Sequence, residues 1–309
     1  MDIYLPIADL PVSIFVLLAL GLAVGFVSGM FGVGGGFLMT PLLIFLGVAP
    51  GVAVATVATH ITASSFSGTL SYWRRRAVDF QMAAALLAGG MLGTSSGIWL
   101  FGTLRSLGQL DLMISFSYLI LLTAVGGLMV MESVRSIVRQ RQNKPSLLRR
   151  SGGAHTWVHG LPLKFRFRQS KIFISVIPVI VIGYVIAVIG VIMGIGGGFL
   201  LVPMLIYVLR VPTATVIGTA AVLTTATMAL ATVMHALTNH LVDAILALVL
   251  MAGGVIGAQF GARSALNLAP ERLRFLLGFI ILAVGFRFGY ELISHPDHVY
   301  TIRVLGAEL

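Results

Sequence analysis

"GVGGGFLMTP" occupies residues 32–41, and "GIGGGFLLVP" occupies residues 194–203. Glycine is unfavourable inside a helix because it loses the most backbone freedom on ordering. Yet each cluster lies in strongly apolar sequence, and each is followed five residues later by a proline. A chain that carries this pattern twice needs a sharp backbone reversal, or a close approach to its main chain, at two separate places.

The surroundings define the class. Hydrophobic residues make up 58% of the 309 and charged residues only 10%, and the mean hydropathy is +1.03. Soluble domains carry about 25% charged residues. Apolar runs long enough for a bilayer-spanning helix of about 20 residues recur from end to end. The chain reads as an all-α polytopic membrane protein. There is no cysteine, which excludes a disulfide framework, a thiolate metal site and a redox dithiol. The start, "MDIYLPIADLP", is acidic and lacks the basic leader of a signal peptide, so the first apolar run is expected to stay in the mature protein.

Ten apolar segments are expected at about 12–31, 37–48, 52–72, 80–101, 112–131, 172–193, 199–209, 213–237, 244–263 and 275–292. Residues 132–171 form the one long polar stretch and hold 10 of the 20 Lys and Arg. The positive-inside rule assigns that loop to the cytoplasm. Crossings counted outward from it bring Arg74, Arg75, Arg76, Arg210, Arg263, Arg272 and Arg274 to the same side. Arg105 and Arg303 fall outside, Arg287 lies within the last segment, and both termini come out extracytoplasmic. The net charge of +10 is therefore topological and calls for no nucleic acid, although the loop could touch anionic lipid headgroups.

An internal repeat organises the chain. An offset of 162 carries Gly36 to Gly198, Pro41 to Pro203 and Pro50 to Pro212. An offset of 164 carries Asp79 to Asp243, Gly89 to Gly253, Gly93 to Gly257 and Gly97 to Gly261. Each half has five segments, an odd number, so the halves should insert with opposite orientation. The organisation expected is a first repeat at 1–131, the basic loop at 132–171 and an inverted second repeat at 172–309. Inverted repeats mark secondary transporters, whose site lies near the midplane where broken helices meet.

Phe37–Val48 would rise about 18 Å as a helix, short of a hydrocarbon core of about 30 Å. Gly36 then falls near the membrane centre, and Gly198 arrives there from the other side. The helices beginning at Gly36 and Gly198 would aim unpaired N–H groups and positive dipole ends at a shared cavity, which suits an anion. Gly34, Gly35, Gly36, Gly196, Gly197 and Gly198 are accordingly candidate substrate contacts, with Gly32, Pro41, Gly194 and Pro203 as helix-break positions. Re-entrant hairpins and full crossings have the same parity, so charge does not separate them. The alternative for such glycines is close helix packing, the role assigned to the Gly89-Gly93-Gly97 and Gly253-Gly257-Gly261 stripes. Neither cluster completes GxGxxG or a P-loop.

"GVGGGFLMTPLLIFLGVAPGVAVAT", "SGTLSYWRRRAVDF", "GGMLGTSSG", "GIGGGFLLVPMLIYVLRVPTATVIGT" and "GGVIGAQFGAR" resemble the sulfite exporter TauE/SafE family of membrane permeases. The resemblance covers roughly residues 15–131 and 172–290; the long basic loop departs from it. It implies residence in a bacterial inner membrane and transport of a small sulfur-containing anion such as sulfite, sulfoacetate or another organosulfonate, with export as the expected direction. The glycine motif of the family falls here on Gly32, Gly34, Gly35, Gly36 and Pro41, and on Gly194, Gly196, Gly197, Gly198 and Pro203.

On the third segment Thr56, Thr59, His60, Ala63 and Ser67 share one helix face. Their hydroxyls either line the path or satisfy carbonyls of their own helix. His60 is ionisable within the membrane and hence a functional candidate, with proton coupling as the corresponding expectation. Thr219, Thr224, Thr225 and Thr227 populate the eighth segment without marking one face, and Thr219 is the member carried forward. Asp79 and Asp243 begin the fourth and ninth segments on opposite sides of the bilayer, which suits helix capping and argues against a catalytic dyad. No cofactor, metal site or enzymatic constellation is expected; the partners are the anion and the bilayer, with homo-oligomerisation open. The alternatives are a passive anion channel and a membrane sensor or scaffold.

Overall fold

The computed structural model describes residues 2–31, 34–74, 76–141, 163–167, 169–170, 172–207, 209, 211, 213–264 and 270–294. Gly32, Arg75, Arg210, Pro212 and most of the basic loop lie outside them. Among the described residues there are ten α-helices: α1 (Ile14–Phe31), α2 (Gly36–Phe45), α3 (Pro50–Arg74), α4 (Phe80–Ser106), α5 (Leu110–Arg141), α6 (Val176–Met193), α7 (Gly198–Tyr207), α8 (Thr213–Met234), α9 (Ala244–Ser264) and α10 (Pro270–Ser294). A π-helical turn at His235–Asn239 extends α8.

Among the described residues five helices are long and apolar enough to cross a membrane: Phe80–Ser106, Leu110–Met131, Val176–Met193, Thr215–Asn239 and Ala244–Gly261. Large apolar side chains point outward along the helices, among them Leu92 and Trp99 on α4, Phe116 and Ile120 on α5, and Phe279 and Phe286 on α10. In water such a surface would be an aggregation hazard; in a bilayer it is the lipid face. The molecule is a multi-pass membrane protein. Helix α3 is not among these five: Thr, Ser and His dilute its apolar character, and its first half is enclosed by protein. It touches α2, α5, α6, α8 and α9, so it trades lipid contact for packed neighbours.

The longest contacts join distant parts of the chain, with α1 against α9, α4 against α6, α3 against α8 and α5 against α10. The glycine stripes explain the first two. A Cβ built on Gly257 or Gly261 would stand 2.1 Å or 2.0 Å from the carbonyl oxygens of Leu22 and Phe26 in α1. On α4, the corresponding positions at Gly89 and Gly93 lie 2.0 Å and 2.3 Å from the carbonyls of Ile180 and Tyr184 in α6. Only a missing side chain lets these backbones approach so closely, and dispersion rather than water expulsion holds them together.

Two features depart from an all-helical reading. The first apolar segments of the two halves each open on an antiparallel hairpin, β1 (Asp2–Leu5) with β2 (Leu10–Ser13) and β3 (Lys164–Phe167) with β4 (Ile172–Ser175). The helices are therefore shorter than the apolar runs at 12–31 and 172–193: α1 and α6 have 18 residues each, about 27 Å. Ser175 ends the second hairpin and caps α6 through Ile177 N–H at 3.3 Å. Apolarity alone does not separate a short strand from the helix that continues it.

Candidate functional site

Each glycine cluster makes a left-handed turn into a ten-residue helix. Gly34 and Gly35 have φ of 89° and 70°, and α2 starts at Gly36. Gly194, Gly196 and Gly197 have φ of 65°, 78° and 52°, and α7 starts at Gly198. L-residues pay about 1–2 kcal/mol to adopt such angles, which is why glycine repeats here. The turn geometry is common to both: Gly36 N–H donates to Gly34 O at 2.9 Å, and Gly198 N–H donates to Gly196 O. Pro41 and Pro203, each in the sixth position of its helix, lack an N–H, so the carbonyls of Phe37 and Phe199 lose their usual intrahelical donor.

The two turns meet. A Cβ on Gly36 would stand 2.7 Å from the Gly194 carbonyl oxygen and 2.8 Å from that of Ile195. Thr40 Oγ1 donates to Gly194 O at 3.2 Å. Phe37 and Phe199, the second residues of α2 and α7, stack with ring centroids 4.6 Å apart and planes 14° apart. The N-termini of two helices therefore face a common volume, where the N–H groups of Gly36, Leu38 and Met39 bond the Gly34 and Gly35 carbonyls and those of Gly198, Leu200 and Leu201 bond the Gly196 and Gly197 carbonyls.

Two side chains from the central helices touch both turns. Ile61 of α3 reaches 2.3 Å from the Cβ position of Gly36, 2.7 Å from that of Gly196 and 3.7 Å from that of Gly34. Thr224 of α8 places Cγ2 4.0 Å from the Cβ position of Gly34 and Oγ1 3.9 Å from that of Gly197. Ser65 Oγ is 3.5 Å from the Gly34 position. Thr224 is 2% exposed, and its hydroxyl oxygen has no hydrogen-bond partner among the described residues. Ile61 and Thr224 stand 163 residues apart, between the offsets of 162 and 164 that relate the sequence halves. Intermediate spacing hid the pair, since Ile61 resembles any core residue and Thr224 lies among several threonines.

Other sequence candidates are engaged elsewhere. Thr56 Oγ1 accepts from Asp243 N–H at 3.1 Å, and Thr219 Oγ1 accepts from Asp79 N–H at 3.1 Å. The two sites match in their further contacts. Asp79 Oδ1 accepts from Met82 N–H in α4, while Oδ2 accepts from Ser170 N–H at 2.9 Å and Ser170 Oγ at 2.7 Å. Asp243 Oδ1 accepts from Ile245 and Leu246 N–H, while Oδ2 accepts from Ile7 N–H at 3.0 Å and Ala8 N–H at 3.4 Å. Each aspartate thus caps one helix and ties down the β-hairpin that precedes another. His60 turns to α9: Nδ1 lies 3.1 Å from Leu250 O, and its ring lies against Gly254, whose Cβ position is 2.0 Å from Cε1. A carbonyl only accepts, so Nδ1 carries the proton. His60 Nε2 and Thr59 Oγ1 are buried without partners among the described residues.

The site contains no formal charge of its own. Helices α1, α2, α6, α7 and α8 contain no Asp, Glu, Lys or Arg, and α3 carries only Arg74, its last residue. Arg287 of α10 lies over the Phe45 ring at 5.5 Å, at the far end of α2. The ionisable Tyr118 of α5 donates its hydroxyl to Met193 O, and His235 packs edge-on against Phe101 with Nδ1 3.0 Å from Asn239 Nδ2. Among the described residues no group of three or more His, Asp or Glu is placed to hold a metal ion. A separate open cavity of about 450 Å³ lies at the end of α3, bounded by Trp73, Arg74, Arg76, Phe80 and Gln169.

Comparison with known proteins now adds a family to this geometry. The family model described as "Sulfite exporter TauE/SafE" matches residues 17–288. The chain is 29% identical to a "Probable membrane transporter protein" of Xylella fastidiosa (strain 9a5c), covering 88% of this chain and 94% of that one. It is 26% identical to the "Probable membrane transporter protein YjnA" of Bacillus subtilis (strain 168), over 88% of this chain and 98% of the relative. The "Probable membrane transporter protein YunE" of the same organism is 25% identical over 90% and 98% of the two chains. No solved structure matches the chain. The chain belongs to the sulfite exporter TauE/SafE family, and the names of its relatives indicate a membrane transporter.

Proposed function

We propose that this membrane transporter is a secondary exporter of a small sulfur-containing anion, sulfite or an organosulfonate, working by alternating access around the two glycine turns. The observation that carries the reading is the meeting of the α2 and α7 N-termini, with Gly36 against the Gly194 and Ile195 carbonyls and Phe37 stacked on Phe199. Two positive dipole ends attract an anion without a full buried cation, which favours binding while still permitting release. Helices of ten residues, about 15 Å long, bring both turns near the middle of a core of about 30 Å. Breaks at this depth are tolerated where they are enclosed by protein or line a cavity.

In this reading residues 1–131 and 172–309 are inverted repeats of five segments. The matched roles of Asp79 and Asp243, and the exchange of partners between α1·α9 and α4·α6, support it. The protein resides in the bacterial inner membrane with both termini extracytoplasmic, and residues 132–171 are cytoplasmic, the orientation favoured by the distribution of Lys and Arg.

Counterflow in proteoliposomes tests the function. Vesicles loaded with unlabelled sulfite receive labelled sulfite outside, with sulfoacetate, taurine, sulfate and chloride as competitors. Transient accumulation blocked by a sulfur anion is the expected result. Folded protein that gives no counterflow with any sulfur anion would refute the carrier reading, and currents through a continuously open path would replace it with a channel.

A further inference from the structure

The site between the glycine turns is uncharged, yet it is not apolar. It faces the positive ends of two helices, whose first-turn N–H groups mostly bond the glycine carbonyls of the turns, and it holds one buried hydroxyl, Thr224 Oγ1, that no described residue satisfies. A buried hydroxyl without a partner is costly, and its cost is recovered if a ligand accepts from it. Thr224 is the right distance for that role, since its oxygen stands 3.9 Å from the Cβ position of Gly197, at the mouth of α7. From the opposite helix the repeat counterpart Ile61 fills the same volume with hydrocarbon.

We propose that this site selects monovalent oxyanions over divalent ones, with Thr224 as its side-chain donor. The inference rests on the transport reading above and deepens it by naming the charge class of the substrate. The cost of moving an ion out of water grows with the square of its charge, so a dianion pays about four times what a monoanion of similar size pays. Recovering that difference takes a paired cation, and the helices that form the site carry none but Arg74, the last residue of α3, thirteen residues beyond Ile61. The surrounding ionisable groups have other engagements: His60 on Leu250 O, Tyr118 on Met193 O, His235 beside Phe101 and Asn239, and Arg287 over Phe45. Amide dipoles and one hydroxyl suffice for a single delocalised charge such as a sulfonate or hydrogensulfite. Sulfate and the sulfite dianion are disfavoured. Sulfite should therefore be carried in its protonated form, and its flux should rise as pH falls because of the substrate and not because of a protein group.

The test uses the full chain in proteoliposomes and in detergent. Methanesulfonate, a fixed monoanion, should exchange at a rate independent of pH across the second ionisation of sulfurous acid. Sulfite exchange should follow the hydrogensulfite fraction over the same range, and sulfate should neither exchange nor compete. Thr224→Val should raise the KM for methanesulfonate about tenfold or more, since a hydrogen bond to a charged group is lost, while Thr224→Ser stays within about twofold of the parent. Binding is read separately, as the rise in unfolding temperature that methanesulfonate produces in detergent and that Thr224→Val diminishes. Exchange of sulfate equal to methanesulfonate, or an unchanged KM in Thr224→Val, would overturn this inference while leaving transport intact. Binding of methanesulfonate without any exchange would overturn the transport reading and leave the site. Folded protein that neither binds nor exchanges methanesulfonate would overturn both.

Discussion

Gly36→Ala is the most direct probe of how the two turns meet. The added methyl would stand 2.3 Å from Ile61 Cδ1, 2.7 Å from Gly194 O and 2.8 Å from Ile195 O. Ordinary contact begins near 3.4 Å, so the deficits are about 1.1 Å on the side chain and about 0.7 Å and 0.6 Å on the two carbonyls. Ile61 can answer the first by rotating its terminal methyl. The carbonyls belong to a turn of three positive-φ glycines and move only if α2 and the 194–197 turn separate. A separation of about 0.7 Å stretches the Thr40–Gly194 hydrogen bond from 3.2 Å past the range in which it contributes. Overpacking of this kind costs about 1–3 kcal/mol, and loss of the hydrogen bond adds about 1 kcal/mol. The expected result is a lower unfolding temperature in detergent together with loss of counterflow. Combining it with Ile61→Val should recover only the side-chain part, leaving the double variant between the parent and Gly36→Ala. A Gly36→Ala protein that unfolds and transports like the parent would refute the apposition of the turns.

The other predictions follow from the same contacts. Asp79→Ala and Asp243→Ala should each lower stability by about 3 kcal/mol or more, because each strands several buried donors; thermal unfolding that spares one and collapses the other would contradict their matched roles. His60→Gln should leave the pH dependence of sulfite flux unchanged, since the ring is turned to Leu250 and away from the glycine turns, and a flattened profile would restore proton coupling through His60. Because the chain has no cysteine, single thiols report topology cleanly. Gln109→Cys should react with an impermeant reagent from outside the cell and Phe165→Cys only after the inner face is opened, and the reverse pattern would invert the assigned orientation.

Much of the scaffold was legible in the sequence because it is written in glycine, proline and charge. The two clusters, their spacing and the following prolines mark the starts of α2 and α7, since few other residues produce a left-handed turn directly before a helix. The four-residue glycine stripes mark the α1·α9 and α4·α6 contacts for a similar reason: a missing side chain is a visible signal. Strands β1 to β4 were not legible. They are four residues each and continue directly into apolar helices, so hydropathy runs through them without a break. Nor did helix periodicity orient α3. Its hydroxyl-bearing face, Thr56 to His60, suggested a polar path, whereas Asp243 and Leu250 claim Thr56 and His60. Ile61, one residue further, is the α3 side chain that reaches both turns. One residue on a helix is about 100° of rotation, and hydropathy cannot tell which of two adjacent faces meets the centre when protein encloses both.

The pairing of Ile61 with Thr224 bears on why the proposed repeats would keep unlike residues at their matched centre. The supports are nearly alike in the two halves: Asp79 with Thr219, Asp243 with Thr56, Phe37 on Phe199, and a proline in the sixth position of each short helix. In the proposed alternating-access reading, two equal backbones of this kind would exchange between related conformations at small cost, because each arrangement reuses contacts the other half already makes. The ligand site proposed between the turns would take one anion. Two hydroxyls there would leave a second unsatisfied donor whenever one was engaged, and two isoleucines would leave none to engage. One hydroxyl opposite one hydrocarbon plug supplies a donor for the bound state and a cover for the empty one. Exchanging them, as Ile61→Thr with Thr224→Ile, should therefore preserve folding and binding of a monoanion while moving the donor to α3. Methanesulfonate exchange in that double variant close to the parent's, with either single variant impaired, is the expected outcome; a double variant no better than the worse single one would show that the two positions do not share a volume.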